Sequence, residues 1–263
     1  MSASTVQVET RGRVALVTLN RPDSSNTINL QMAMDLLAAA MTCSRNNTVR
    51  AVVLTGAGRN FCFGGDLRAI AAEGVEGAYL RELTGYLHSA ISNFVRMDPP
   101  VIAAVNGTAA GAGVGLAAMA DLVICGKASR FNLAYTNVGL TPDGGTSFFL
   151  PRVIGARRTM ELLLLNRPLV AKQALDWGLV NEVVDDEEVV ERAFEIAGQL
   201  ASGATGAFGL SKRLVAHALG TLESHMTLES ETIASQAASV DGVEGIRAFL
   251  EKRKPEFSGS GTR

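Results

Sequence analysis

Short runs of apolar, largely β-branched residues recur along the first half of the chain. Each run is bounded by polar or glycine-rich residues. Strands that are apolar on both faces are typical of a sheet covered on both sides. The pattern therefore predicts buried strands at residues 14–19 (VALVTL), 51–55 (AVVLT), 101–105 (VIAAV) and 121–125 (DLVIC).

Apolar residues recur at helical spacing between these strands, in residues 30–44 and 77–96. Helices that alternate with strands indicate parallel β-α-β crossovers and an α/β fold. Ligands of such folds lie beyond the carboxyl ends of the strands. In this chain glycine and asparagine follow those ends, as at residues 56–58 and 106–107, so we expect the functional site there.

From about residue 187 the pattern changes to successive helices without a convincing strand. The predicted helices cover 187–201, 206–219, 222–239 and 242–253, and Gly, Ser or Asp separates them. The final residues, SGSGTR, are typical of a disordered end. We predict an α/β core at 1–186, a helical region at 187–257 and a disordered tail at 258–263.

The composition excludes several classes of function. The net charge of −2 lacks the basic excess of a nucleic-acid surface. Neither a secretory signal nor an apolar run of membrane-spanning length is visible, so we expect a cytoplasmic protein with no membrane contact. The three cysteines, Cys43, Cys62 and Cys125, form no metal-ligand spacing, and we expect no metal.

Two glycine-rich segments are candidates for binding. Residues 107–115 (GTAAGAGVG) lack the Lys-Ser/Thr of a phosphate loop and the G-x-G-x-x-G spacing of a dinucleotide site. A helix that begins near Gly111 would instead present unpaired N–H groups, and residues 61–67 (FCFGGDL) could supply another. Two such groups can hold one oxyanion. From residue chemistry alone, tight turns that need small residues explain both segments equally well.

The motifs, taken in order, resemble the crotonase (enoyl-CoA hydratase/isomerase) superfamily, and the match runs from about residue 6 to 257. The matching segments are LNRPD at 19–23 with Asn26, F-x-x-GGDL at 61–67, AVNG at 104–107, AGAG at 110–113, GL-x-PD at 139–143, LPR at 150–152, GLV at 178–180 and EGI-x-AFL-x-KR at 244–253.

This resemblance implies a spiral of β-β-α units whose C-terminal helices build a trimer, often paired into a hexamer. It also implies an acyl-CoA thioester as substrate and no separate cofactor, since coenzyme A is part of the substrate. The thioester oxygen would lie between the backbone N–H groups of Gly65 and Ala112. The family more often has glycine at the second position.

The sequence departs from the hydratases of this family at the acid/base positions. Hydration needs one group to activate water and another to protonate carbon. The two positions that are glutamates in the hydratases are Gly115 and Tyr135 here. Asp143 instead matches the single carboxylate of the family's isomerases, and one carboxylate suffices to move a proton. Its apolar neighbours Leu140, Phe148 and Phe149 could raise its pKa.

Alternatives remain for several of these residues. Asp143 between Pro and Gly-Gly could instead cap a turn or helix. Tyr135 could donate a hydrogen bond, although we expect it merely to fill the pocket. The histidines, His88, His217 and His225, lie in helical segments, and we expect them far from these loops. The resemblance suggests as substrate-binding residues Ser24, Ser25, Thr27, Phe63, Asp66, Leu67, Gly111, Tyr135 and Leu140, although the family counterpart of Asp66 is usually structural.

We therefore predict an enoyl-CoA isomerase in which Asp143 carries the proton. Other reactions of the family with one carboxylate are ring-epoxide isomerisation, C–C cleavage, thioester hydrolysis and dehalogenation, in which an aspartate can attack carbon. Weak hydration is a further alternative. An acyl-CoA-binding scaffold without activity is also consistent with the loss of both glutamates.

Overall fold

The structure is a computed structural model that describes residues 4–72, 78–217, 226, 230, 233, 235–237 and 239–258. Within these ranges the strands are β1 (Val6–Arg11), β2 (Val14–Leu19), β3 (Ala51–Gly56), β4 (Val101–Val105), β5 (Thr108–Ala110), β6 (Leu122–Gly126), β7 (Arg130–Asn132), β8 (Leu169–Val170) and β9 (Glu182–Val184). The helices are α1 (Leu30–Arg45), α2 (Leu67–Ala72), α3 (Ala78–Arg96), α4 (Ala112–Ala118), α5 (Thr146–Ile154), α6 (Ala156–Leu165), α7 (Ala171–Trp177), α8 (Val189–Ala201), α9 (Thr205–His217) and α10 (Val240–Leu250).

The main sheet has six strands in the order β1-β2-β3-β4-β6-β9. Its four inner pairings, from β2 to β9, are parallel, and β1 is antiparallel to β2. All four predicted strands are confirmed, although the last begins at Leu122 and leaves Asp121 outside. The two predicted helices are confirmed as α1 and α3.

The apolar strands divide their side chains between two cores, as their pattern predicts. In β3, Val52 and Leu54 belong to a large cluster with α1, α3 and α4. Val53 belongs to a second cluster, to which α8 contributes Val189 and Ala193. Because α8 covers the second face of the sheet, the first helix after residue 187 packs on the α/β core.

A second, three-stranded sheet lies beside the first, in the order β5-β7-β8. Its strands are two or three residues long, too short to give a sequence pattern. Pairs of strands followed by a helix recur along the chain, as β1-β2-α1, β4-β5-α4 and β6-β7-α5. This succession is the α/β spiral of β-β-α units that the resemblance implies.

The C-terminal region is helical, as predicted. Lys212 of α9 forms an ion pair with Asp121 at 2.7 Å and so ties this helix to the sheet. Most of the predicted helix 222–239 and residues 259–263 of the predicted tail lie outside the described residues. Ser258 is hydrogen-bonded to Asp241 through its N–H (2.7 Å) and its hydroxyl (2.8 Å). Within the described ranges, no helix is both long and apolar enough to cross a membrane.

Candidate active site

The two glycine-rich segments lie against each other. Cys62 donates its N–H to the oxygen of Thr108 (3.2 Å) and accepts from Ala110 (2.8 Å). Gly64 has a φ of +77°, and a Cβ there would lie 2.7 Å from the oxygen of Ala110 and 3.0 Å from the nitrogen of Ala112. Only glycine permits this conformation and this close approach. The contact brings the amides of Gly65 and Ala112 close together.

Both of these amides are available to a ligand. Ala112 is the first residue of α4, where backbone N–H groups lack a partner within the helix. Among the hydrogen bonds of the described residues, neither the Gly65 nor the Ala112 N–H has an acceptor. Paired N–H groups of this kind can stabilise an oxygen on which negative charge develops.

A cavity of ≈ 330 Å³ opens beside Gly65, and we call it the first cavity. Ala112 itself is not on its wall, but the preceding residue, Gly111, is. The predicted site residues on its wall are Phe63, Gly65, Leu67, Gly111, Tyr135, Leu140 and Asp143. Leu83 and Thr84 of α3 close another side. Five of the proposed substrate-binding residues, both oxyanion loops and the candidate carboxylate therefore share one space.

The remaining predicted residues support the loops instead of lining this cavity. Asp66 accepts hydrogen bonds from Arg21 (3.0 Å), Thr27 (3.3 Å) and the N–H of Ala69 (3.2 Å). Burial raises the pKa of Asp66, but these bonds outweigh it and hold the pKa below its usual value. Asp66 is thus an ionised carboxylate that fixes its loop, as the resemblance implied.

The loop at residues 24–27 packs against the same segment. The backbone oxygen of Ser25 accepts the N–H of Phe63 at 3.1 Å, and the hydroxyl of Ser25 accepts from Asn60 at 3.3 Å. Ser24 and Thr27 also lie off the wall of the first cavity. Their contact with the nucleotide part of a substrate stays a prediction.

Asp143 lies in the loop before α5. The N-cap of α5 is Gly145, so the interpretation of Asp143 as a helix cap is wrong. The alternative role in a turn is confirmed, because the backbone oxygen of Asp143 accepts the N–H of Thr146 at 3.0 Å. The Asp143 carboxylate accepts a hydrogen bond from the hydroxyl of Tyr135 at 3.0 Å. Burial raises the pKa of Asp143, while the Tyr135 hydrogen bond and the charge of His88 act in the opposite direction.

Tyr135 does more than fill the pocket. It is 8% exposed, and its hydroxyl also lies 3.1 Å from that of Thr146. Burial, with the charge of Asp143 second, raises the pKa of the Tyr135 phenol far above its usual value. The phenol therefore stays protonated and donates to Asp143, so our expectation of a simple filler is wrong.

The position of the first hydratase glutamate, Gly115, leaves no room for a side chain. A Cβ at Gly115 would lie 2.2 Å from the backbone oxygen of Gly144 and 2.8 Å from the hydroxyl of Thr146. The loop that carries Asp143 thus occupies the space that a side chain from α4 would need.

Gly115→Ala is therefore expected to lower the free energy of unfolding by about 1–3 kcal/mol, because the new methyl group displaces a backbone carbonyl. Gly85→Ala in α3 is the matched control, since a Cβ at Gly85 meets nothing within 4 Å. It should stabilise the protein by up to about 1 kcal/mol. Urea denaturation of both variants measures the difference, and equal stability of the two would contradict the packing described.

His88 is close to Asp143, contrary to our expectation. A second cavity of ≈ 660 Å³ has both side chains on its wall, with Phe148 and Phe149 of α5 and Arg96 of α3. Asp143 lines the first and the second cavity and so stands between them. Nothing is described of the side chain of His217, and His225 lies outside the described residues. Within the described ranges no three His, Cys, Asp or Glu side chains could hold a metal.

The chain is similar to known proteins over nearly its whole length. The sequence model of the family described as "Enoyl-CoA hydratase/isomerase" matches residues 9–260. The 1,2-epoxyphenylacetyl-CoA isomerase of Escherichia coli (strain K12) is 39% identical over 249 residues, which are 94% of this chain and 95% of that protein. The 4-chlorobenzoyl coenzyme A dehalogenase-2 of an Arthrobacter species is 34% identical over 94% of this chain and 91% of its own length.

Solved structures are also similar to the chain over nearly its whole length. The crystal structure of an enoyl-CoA hydratase from Polaromonas sp. JS666 superposes with a TM-score of 0.91 at 33% identity, over 96% of this chain and 99% of that one. The names of these similar proteins cover an isomerase, a dehalogenase and a hydratase. Similarity over the whole chain therefore establishes the fold. The reaction has to be inferred from the residues of the site.

Proposed function

Since the chain belongs to the enoyl-CoA hydratase/isomerase family, we propose that it is an acyl-CoA isomerase that moves a carbon–carbon double bond. One observation carries the proposal. Among the described residues on the wall of the first cavity, Asp143 is the one carboxylate, and it shares that wall with the Gly65 amide.

The proposed reaction needs one proton carrier and one oxyanion site. The thioester oxygen accepts hydrogen bonds from the N–H groups of Gly65 and Ala112. The ionised Asp143 takes a proton from the α-carbon of a 3-enoyl thioester, and the electron pair moves onto that oxygen to give a dienolate. Asp143, now protonated, returns the proton to the γ-carbon, and the product is the conjugated 2-enoyl thioester. Atoms and charge balance without a further reactant.

The environment of Asp143 suits both halves of this transfer. Burial raises its pKa toward the range in which a carboxyl group both accepts and releases a proton. The hydrogen bond from Tyr135 stabilises the ionised form of Asp143 and so opposes this rise of its pKa. Hydration would need a second group at Gly115 or Tyr135, but the first has no room and the second is held as a neutral donor.

The test follows a 3-enoyl-CoA and a 2-enoyl-CoA by ultraviolet absorbance and mass spectrometry. We expect conjugation to appear from the 3-enoyl substrate without a change in mass, and no water to be added to the 2-enoyl substrate. The gain of one water by the 2-enoyl substrate would show that the chain is a hydratase and that the proposal fails.

Tyr135→Phe should move the acidic limb of the pH dependence of kcat/KM to higher pH. Loss of the hydrogen bond raises the pKa of Asp143, so the ionised base is lost at a higher pH than in the wild type. Tyr79→Phe is the control, because its hydroxyl accepts the N–H of Leu30 (3.1 Å) and leaves Asp143 untouched. A downward shift, or an equal shift in both variants, would contradict this role of Tyr135.

His88 favours a second candidate function, hydrolytic displacement. In this route the Asp143 carboxylate attacks a carbon that carries a leaving group, which departs with its electron pair, and an ester forms on Asp143. Water then attacks the carbonyl carbon of that ester while His88 accepts the proton of the water. The product alcohol leaves, and the carboxylate is regenerated. The shared wall of the second cavity supports this assignment of His88.

Rapid quenching with mass spectrometry separates the two candidates. Displacement predicts a covalent adduct on the peptide that contains Asp143 when a halogenated aroyl-CoA is supplied. The adduct should accumulate in His88→Gln, because its hydrolysis lacks a base. Proton transfer predicts no adduct with any 3-enoyl-CoA, in the wild type or in the variant.

A further inference from the structure

The second cavity adjoins the first at Asp143, which lines both. A thioester held by the Gly65 and Ala112 amides brings its reactive carbons to Asp143, which stands in the wall of both cavities. Carbons further along the chain then extend past Asp143. The space on that side is the second cavity, with ≈ 660 Å³ against ≈ 330 Å³ for the first.

The wall of the second cavity combines apolar sides with basic groups. Ile91 and Val95 of α3 face the edge-to-face pair of Phe148 and Phe149, whose ring centroids are 5.1 Å apart. The basic side chains on the wall are those of His88, Arg96 and Arg213. Among the described wall residues, the one acidic side chain is Asp143, at the opening toward the first cavity. The far part of the cavity therefore presents the guanidinium groups of Arg96 and Arg213.

Of these basic groups, Arg96 is the best placed to bind a ligand. Arg213 is engaged with Asp98 at 2.8 Å and with the backbone oxygen of Arg96 at 3.1 Å. The Arg96 guanidinium makes no ion pair with any of the described residues, and it is exposed at the last turn of α3. A guanidinium in this position suits a carboxylate, whose two oxygens match its planar donors.

We propose that the second cavity binds the distal end of an acyl group that carries a negative charge, and that Arg96 recognises it. The substrate class is that of ω-carboxyacyl thioesters, with the thioester at the oxyanion loops and the free carboxylate at Arg96. This inference rests on the proposed function only in that the thioester must lie at the Gly65 and Ala112 amides; it does not depend on which reaction follows.

Equilibrium binding to two saturated thioesters of equal chain length, hexanoyl-CoA and adipoyl-CoA, tests the proposal without turnover. Isothermal titration should show that the wild type binds adipoyl-CoA more tightly by about five- to tenfold, the range of one partly exposed charge-assisted contact. The preference should shrink as salt is added. Arg96→Gln should abolish the preference.

Arg81→Gln is the matched control, since Arg81 lies on the same helix but lines the first cavity. Any change in affinity should be the same for both thioesters, so their ratio should stay at the wild-type value. Equal affinities in the wild type, or a preference that persists in Arg96→Gln, overturn the proposal. Because neither ligand has a double bond, a failure of the isomerase assay leaves this result unaffected.

Discussion

Asp143→Asn is expected to lower kcat for double-bond migration by about 10²- to 10⁴-fold, the usual contribution of a positioned acid/base. Asparagine has the size of aspartate and keeps an oxygen that can accept the hydrogen bond of Tyr135, which is 3.0 Å in the wild type. The loop and the cavity should therefore persist. What is lost is the ability to hold a proton between its removal from the α-carbon and its delivery to the γ-carbon.

Steady-state absorbance at the wavelength of the conjugated product measures kcat, and titration with a saturated acyl-CoA measures binding. The affinity for the saturated acyl-CoA should stay within about threefold of the wild-type value, because binding of this ligand does not depend on proton transfer. Asp66→Asn is the control among the nearby carboxylates. Asp66 is held ionised by Arg21 and the Ala69 N–H, so its replacement should lower stability, and it should lower kcat far less than Asp143→Asn does. Retained turnover in Asp143→Asn would show that another group carries the proton.

Whether a strand could be predicted from the sequence depends on how many of its faces are buried. In β3 the alternating residues Val52 and Val53 enter different cores, so both faces are apolar and the strand is visible in the sequence. In β1 only Val6 is buried, and the rest of this edge strand is exposed. An edge strand with one buried residue has no such pattern, which is why the sequence did not predict it.

The parts of the site that could be predicted are those that depend on local backbone geometry. Gly64 and Gly111 have positive φ. Glycine is favoured at such positions, so the sequence itself indicates them. The position of α3 on the wall of the second cavity is less visible in the sequence. His88, Ile91, Ser92 and Val95 repeat at helical spacing and all line the second cavity. That spacing defines a helix face, but only tertiary packing determines which loop the face meets.

The same packing that places Asp143 excludes a glutamate from α4. The Gly144 oxygen and the Thr146 hydroxyl approach Gly115 so closely that no Cβ fits between them. Thr146 in turn lies 3.1 Å from the Tyr135 hydroxyl that donates to Asp143. Gly115 therefore leaves room for the loop that carries Asp143, and Tyr135 donates a hydrogen bond to its carboxylate. Restoring a glutamate at Gly115 alone would disturb Asp143 before it could activate water.

Ala112→Pro is expected to lower kcat/KM by at least about 10²- to 10³-fold, the effect of losing one oxyanion donor. Proline has no N–H, and its ring places a carbon where the amide hydrogen would meet the thioester oxygen. The fold should tolerate the change, because Ala112 is the first residue of α4 and proline is favoured at that position.

Ala112→Gly is the matched control, since it removes the methyl group and keeps the N–H. That methyl group is buried beside Gly144, where a Cβ would lie 3.0 Å from it, so the glycine variant should lose some stability. Its kcat/KM should stay within about threefold of the wild type, because the transition-state contact is unchanged. Circular dichroism of both variants reports the fold. A folded proline variant with wild-type activity would mean that the Ala112 amide does not bind the thioester oxygen, and that the charge of the dienolate is stabilised without this hydrogen bond.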